Sequence, residues 1–339
     1  MTALETQDAP RTGIRGAVST FTSRHASVLP TFAAIAILIA LLIGAQMYFG
    51  NFLTPRNMSA LLLDNAYLMV LAVGMTFVIV TAGIDLSVGS VMAFTGIFGA
   101  SLLSSGLPVV IVIPVMLVSG ALIGLLIGVL VQYFNVQPFI ASLAGLFLGR
   151  GLAFVVSLSS IRVEDPVVLW LQSTRLYFGE GYITPTGILA LLCVAAGAIV
   201  MHATRFGRTV YAIGGSEQSA RLMGLAVART KVLVYVISGL CGGIAGLVLT
   251  AYSGAGYPRN GIGTELDVIA IVVIGGTLLT GGRGYVLGSM IGVFVYGTIK
   301  TIISFMGAEQ SWTHIIVGGL LLLFIVVQRA IVTRSERSR

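Results

Sequence analysis

From Val28 to Met47 the chain runs twenty residues without a charge, and comparable uncharged stretches recur along its length. A helix needs about 20 mainly apolar residues to cross a bilayer core about 30 Å thick. Only 9% of the residues are charged and 57% are hydrophobic. An ordinary soluble domain carries about 25% charged residues, so a soluble fold would lack a water-facing surface. The remaining solvent is lipid, and the 43 glycines suit it because small residues let membrane helices approach closely. The expected fold is all-α: a polytopic transmembrane helical bundle of about 10 spans, one or two of them broken or re-entrant.

The first apolar stretch is too long for a signal peptide, and no small-residue cleavage site follows it. Further spans are expected from near Met58, Val88, Pro108, Pro138, Thr184, Val232, Leu266, Tyr285 and Thr313. Those from Val88 and Leu266 are glycine-rich and adjoin glycine-containing breaks, so they are the candidates for broken or re-entrant helices.

Basic residues orient the spans. They gather in the N-terminal tail (Arg11, Arg15, Arg24), in one long loop (Arg205, Arg208, Arg221, Arg229, Lys231) and in the C-terminal tail (Arg329, Arg334, Arg337, Arg339). An even number of expected spans separates each group from the next, so all three fall on the cytoplasmic side together with both termini. The layout is a cytoplasmic tail over 1–27, a transmembrane domain over 28–330 with a cytoplasmic loop over 203–231, and a tail over 331–339. The polar loop from Ser159 to Gly181, with Glu164, Asp165 and Glu180, then falls outside. The net charge of +7 is explained by this placement and implies no nucleic-acid partner.

Cys193 and Cys241 lie in apolar runs and read as small buried hydrophobes. Three scattered histidines give no metal-ligand spacing, and nothing points to a cofactor. Gly120, Gly124 and Gly128 share one helical face, as do Gly284, Gly288 and Gly292; both sets read as packing faces. Thr81-Ala82-Gly83 through Gly89-Ser90 resembles Thr280-Gly281-Gly282 through Gly288-Ser289 at one constant offset, which suggests a weak internal repeat or a chance match of glycine-rich segments.

Charged groups inside the spans are expensive, so they usually face the protein interior or a water-filled route. Asp64 and Asn65 fall inside the second expected span, where capping does not explain them. Asp85 either lines a route or caps a helix beginning near Leu86. Glu265 and Asp267 open the eighth span, where the helix dipole also favours them. Arg150 is the only basic residue of the fifth span and should meet one of these acids or backbone carbonyls. Carboxylates and carboxamides supply the acceptors and donors that a polyhydroxylated solute requires.

In the long basic loop, Ser216-Glu217 reads as a helix start and Gly224 as a stop, giving a short helix between two spans. No engine is present. The only lysines, Lys231 and Lys300, do not follow glycine, which excludes a phosphate-binding loop. No metalloprotease or nucleophile-elbow motif appears, so the chain does not read as an enzyme.

The run from Val80 to Ser90 resembles the signature of ribose-type sugar permeases of ATP-binding-cassette (ABC) importers. Gln137-Pro138-Phe139-Ile140 through Gly149-Arg150-Gly151 is similar to a second block, Thr204 to Gly224 to the coupling region, and Glu265 through Gly284 to a fourth. Ser311-Trp312-Thr313-His314 is most similar to the galactofuranose-type branch, which pairs two different permeases. The resemblance implies a bacterial inner-membrane subunit that moves a monosaccharide by alternating access. It implies two separate ABC ATPase subunits, an extracytoplasmic sugar-binding protein, and a second permease as a homodimer or heterodimer. Glu217, Ala220, Arg221 and Gly224 would form the coupling helix. Gln218, Ser219 and Ala220 stand where the family usually has a small polar residue followed by Ala-Ala. The rival reading is an ion-coupled secondary sugar transporter, because intramembrane acids and broken helices suit that class too.

Overall fold

The computed structural model describes residues 29–309 and 311–336. Arg11, Arg15, Arg24, Arg337 and Arg339, on which the orientation partly rests, lie outside the described residues.

The chain is a bundle of helices joined by short loops. The first is α1 (Leu29–Phe49), followed by α2 (Pro55–Asp64), α3 (Ala66–Val80), α4 (Val88–Ser104), α5 (Val109–Tyr133) and α6 (Pro138–Val156). A surface segment then carries β1 (Ile161–Arg162), α7 (Pro166–Ser173) and a hairpin of β2 (Leu176–Phe178) with β3 (Gly181–Ile183). Then come α8 (Pro185–Ala203), α9 (Arg205–Gly215), α10 (Glu217–Leu222), α11 (Val227–Ser253), β4 (Ala255–Gly256), α12 (Thr264–Ile274), α13 (Val286–Phe305) and α14 (Ser311–Glu336). Strand β4 pairs antiparallel with β1. Helix α14 continues to Glu336, so much of the expected tail is helical.

Local chemistry sets many of the boundaries. Proline sits at the start of α2, α6, α7 and α8, where its missing amide proton leaves nothing unpaired. Thr54, Asp165 and Thr184 cap α2, α7 and α8 by accepting from amides of the first turn.

Among the described residues, six helices are long and apolar enough to cross a membrane, or seven if α2 and α3 count as one bent span. The protein is therefore a polytopic helical membrane protein. The expected interruptions near Val88 and Leu266 appear as short helices: α4 has 17 residues and α12 has 11. At 1.5 Å per residue, α12 is about 16 Å long, roughly half of a hydrocarbon core. One interruption was not expected. The second span breaks between Asp64 and Ala66 with a 52° bend, so Asp64 and Asn65 lie at a joint and not within a continuous helix.

Helix α3 is buried around nearly its whole circumference, from Ala66 to Val80, as suits a helix apolar on every side. Helices α1 and α5 instead expose Ile39, Ile43, Met47, Val118 and Leu122, an outward apolar surface suited to lipid. The stripe Gly120, Gly124, Gly128 is the seam between α5 and α11. A Cβ on Gly124 would strike the Tyr235 carbonyl, and one on Gly120 the Gly239 carbonyl. Gly288 and Gly292 similarly meet Gly275 and Ile271. Gly284, expected on the same face, instead precedes α13 and packs on the Thr277 side chain.

Candidate functional site

Two groups of side chains carry the chemistry: polar residues at the ends and breaks of the helices, and the α9–α10 segment of the basic loop.

At the α2–α3 joint, Asp64 is exposed and its Oδ1 accepts from the Tyr252 hydroxyl at 3.0 Å. Asn65 is buried; its Nδ2 donates to Leu61 O at 2.8 Å and its amide packs where a side chain on Gly297 would stand. In the first turn of α12, Asp267 Oδ2 accepts from the Tyr296 hydroxyl at 2.9 Å, and Oδ1 lies 3.6 Å from His314 Nδ1. Tyr67 stands within electrostatic reach of both Asp64 and Asp267. Two carboxylates, three tyrosines and a histidine from six helices thus form one cluster. Tyrosine offers a flat apolar face and a hydroxyl, and carboxylates accept strongly, which is the equipment for binding a sugar. Nothing in the sequence separates Tyr67, Tyr252 and Tyr296 from ordinary core aromatics, so they were not legible there.

Arg150 meets backbone carbonyls, one of its two expected fates. Its Nη1 donates to Pro258 O at 2.8 Å and Asn260 O at 2.7 Å, fixing the loop before α12. Glu265 Oε1 accepts from Gly263 N at 3.3 Å, while its Oε2 is buried without a hydrogen-bond partner. With Asp267, Glu265 lies in the first turn of α12, where the helix dipole favours both.

Asp85 does not cap a helix. The helix starts at Val88, and the residue preceding it, Ser87, makes no side-chain cap bond. Asp85 is instead 1% exposed, with Oδ1 accepting from Ser87 N (2.8 Å) and Ser87 Oγ (2.6 Å) and Oδ2 from Ser238 Oγ (2.6 Å). It pins the α3–α4 turn to α11.

The basic loop forms two helices at a sharp corner. Ser216, in extended conformation, ends α9 and caps α10 by accepting from Ser219 N at 3.2 Å. Gly224 closes α10 at φ +74°, a conformation open to glycine, and its amide donates to Arg221 O at 3.0 Å. Glu217 bonds Arg221 (2.6 Å) and Lys231 (3.0 Å), fastening α10 to α11. Burial works against the charge on Glu217, but the bonds from Lys231 and Arg221 outweigh it and hold the carboxyl below the usual glutamate value. Ala220 is fully buried against Ile213 and Val227, so it sets the angle of α10 and offers no outer surface. The tip instead presents Leu222 and Met223, 84% and 67% exposed. Two adjacent large apolar side chains on a capped, ion-paired corner are a knob without a socket among the described residues.

The described residues thus form a helical membrane bundle with a polar cluster at its helix ends and a capped, ion-paired corner in the basic loop. Residues 57–325 match the family described as the branched-chain amino acid transport system / permease component. The chain belongs to this family, within its sugar ABC-transporter permeases. It is 42% identical over 320 residues to the fructose import permease protein FruG of Bifidobacterium longum, covering 90% of this chain and 92% of that one. It is 43% identical over 311 residues to the inner membrane ABC transporter permease protein YjfF of Escherichia coli K12, covering 91% and 94%. It is 36% identical over 300 residues to the ribose import permease protein RbsC of the same strain, covering 86% and 91%.

Proposed function

We propose that this chain is the membrane-spanning subunit through which an ABC importer moves a monosaccharide across the bacterial inner membrane. It works by alternating access with ATP hydrolysed on two partner ATPases. The observation that carries the coupling is the α10 tip. Leu222 and Met223 stand exposed on a corner stiffened by the Ser216 cap, the Gly224 stop and the Glu217 ion pairs. Beside it, Gln132, Arg221 and Arg229 line a cavity of about 350 Å³, giving the hook a cationic rim. An ATPase groove with an apolar floor and an acidic edge fits this surface.

In this reading the chain crosses the membrane ten times, with α4 and α12 as short members, and both termini are cytoplasmic. A second permease, identical or different, completes the pore. A sugar-binding protein delivers its cargo to the face that carries the β2–β3 hairpin, where Arg56, Arg175, Tyr177, Glu180 and Tyr182 line a cavity of about 360 Å³. Asp64, Asn65 and Asp267, with Tyr67, Tyr252 and Tyr296, line the sugar's route. Glu265 and Arg150 hold the mouth of α12. The relatives named for fructose and ribose import support a monosaccharide as the substrate class. Substrate shifts the transporter only through different affinities for its two states.

The test is uptake of labelled fructose, ribose and galactose into proteoliposomes containing the complex, with ATP present or absent and with or without an uncoupler. ATP-dependent, uncoupler-resistant uptake supports the importer. Uptake by the chain alone, abolished by the uncoupler, establishes the ion-coupled alternative.

A further inference from the structure

Two turns of the bundle, 81–87 between α3 and α4 and the glycine-rich 275–285 between α12 and α13, touch each other. Gly282 N donates to Val80 O at 2.9 Å. A Cβ on Gly281 would lie 2.9 Å from both the nitrogen and the Cβ of Ala82. Gly281 and Gly282 are left-handed at φ +83° and +74°, and Ala82 is held at φ +59°, which is uncommon for a residue with a side chain. Thr76 Oγ1 and Ser289 Oγ, 2.7 Å apart, join α3 to α13 nearby.

Helix α9 is seated on this junction. At Gly214 there is no room for a side chain: the Val80 carbonyl and the Gly282 amide occupy the place of a Cβ. One turn earlier, the Tyr211 hydroxyl donates to Gly284 O at 2.5 Å. Helix α9 therefore grips both turns at once, mainly through backbone. The other neighbour of α10 grips the first turn as well, because Ser238 of α11 donates to Asp85. Helix α10 is joined to α9 through Ser216 and to α11 through Glu217–Lys231.

We infer that this turn junction receives the displacement of the α10 hook, and that Tyr211 and Gly214 are positioning residues that deliver it to both turns together. This rests on the importer reading for its driving force. Backbone-to-backbone contact leaves little slack, since close-packed interiors transmit strain and do not absorb it. The helices that leave the junction carry the polar cluster at their other ends: α3 runs from Val80 back to Asn65, and α12 from Ile274 back to Asp267. A push at Gly214 thus reaches Asp64 and Asp267 along two rigid rods about 22 Å and 16 Å long. The matching Thr-x-Gly segments, Thr81-Ala82-Gly83 and Thr280-Gly281-Gly282, meet in this arrangement, each half of the bundle supplying one turn to a shared contact.

Spatial continuity alone does not demonstrate coupling, so the test measures it. Tyr211→Phe removes the bond to Gly284 O and keeps the ring that stacks beside His202. Hydrogen–deuterium exchange is followed in the purified chain, and sugar delivered per ATP hydrolysed in the complete reconstituted complex. The expected result is faster exchange in 80–87 as well as in 278–285, although the hydroxyl's partners, Gly284 O and the more distant His202 Nδ1, both lie outside 80–87. Sugar per ATP should fall roughly two- to tenfold, the range one hydrogen bond supports, with basal hydrolysis retained. Gly214→Ala should show the same pattern more strongly. Exchange confined to 278–285, or unchanged sugar per ATP in Tyr211→Phe, overturns the inference. If the wild-type complex shows no ATP-dependent uptake, the importer reading fails, while the exchange measurement still decides whether the junction moves as one unit.

Discussion

Ser238 Oγ lies 2.6 Å from Asp85 Oδ2, joining residues 153 positions apart in the chain. The carboxylate is 1% exposed and takes its other bonds from Ser87. A hydrogen bond contributes about 0.5–1.5 kcal/mol net, and a buried acceptor left short of donors costs about 1–3 kcal/mol. Ser238→Ala therefore lowers the thermal unfolding midpoint in detergent, and Ser238→Thr, which keeps the hydroxyl, restores most of it. An alanine variant that melts with the wild type would show that the bond carries no weight.

The α5–α11 seam gives a contrast between glycines. Gly124→Ala drives a Cβ into the Tyr235 carbonyl, whereas Gly151→Ala, in α6, meets nothing within 4 Å. Overpacking costs about 1–3 kcal/mol, while alanine is favoured over glycine in a helix by about 0.5–1 kcal/mol. Thermal melts should show the first destabilised and the second equal to wild type or slightly better. Equal effects would mean that α5 and α11 do not pack at this seam.

Asp64 separates the importer from its rival. Asn at this position still accepts from Tyr252 but carries no charge. As a sugar contact, Asp64→Asn retains ATP-driven uptake with an apparent affinity weakened by about tenfold, the worth of about 1.4 kcal/mol. As an ion ligand of a secondary carrier, the same change would abolish uptake. Concentration-dependent uptake measurements distinguish the two.

Glu217 gives a pH dependence of known sign. Its folded carboxyl titrates below the usual glutamate value of about 4.3, so the ion-pair contribution is complete above that value and is lost as pH falls through the folded one. The pairs are partly exposed, so the effect is modest. Hydrogen exchange of 216–231, after correction for intrinsic rates, should be flat through neutral pH and should rise only as the pH drops below the usual glutamate value. Glu217→Gln should remove that acid step; an identical acid step in the variant would contradict the assignment.

Helix starts were legible because they rest on local chemistry: Pro138, Thr184-Pro185, Ser216-Glu217 and the Gly224 stop all lie where short-range rules place them. So were the Gly120–Gly128 face and the choice of backbone carbonyls or acids for Arg150. The joint at Asn65 was not, because hydropathy averages over a bend, and no proline or glycine marks it. Asp85 reads locally as a cap; its actual partner, Ser238, is brought in by tertiary packing. Ala220 and Leu222 lie two residues apart on one short helix, and only the packing of α10 on Ile213 and Val227 decides that the first is buried and the second exposed.

Engagement of a separate ATPase by the α10 hook is tested by affinity purification from the native cell in mild detergent. The wild-type chain should bring down an ABC ATPase, identified by mass spectrometry, and a Leu222→Ser/Met223→Ser double variant should lose it while remaining folded and membrane-inserted. Recovery of the wild-type chain without any ATPase, even after cross-linking, would contradict the account.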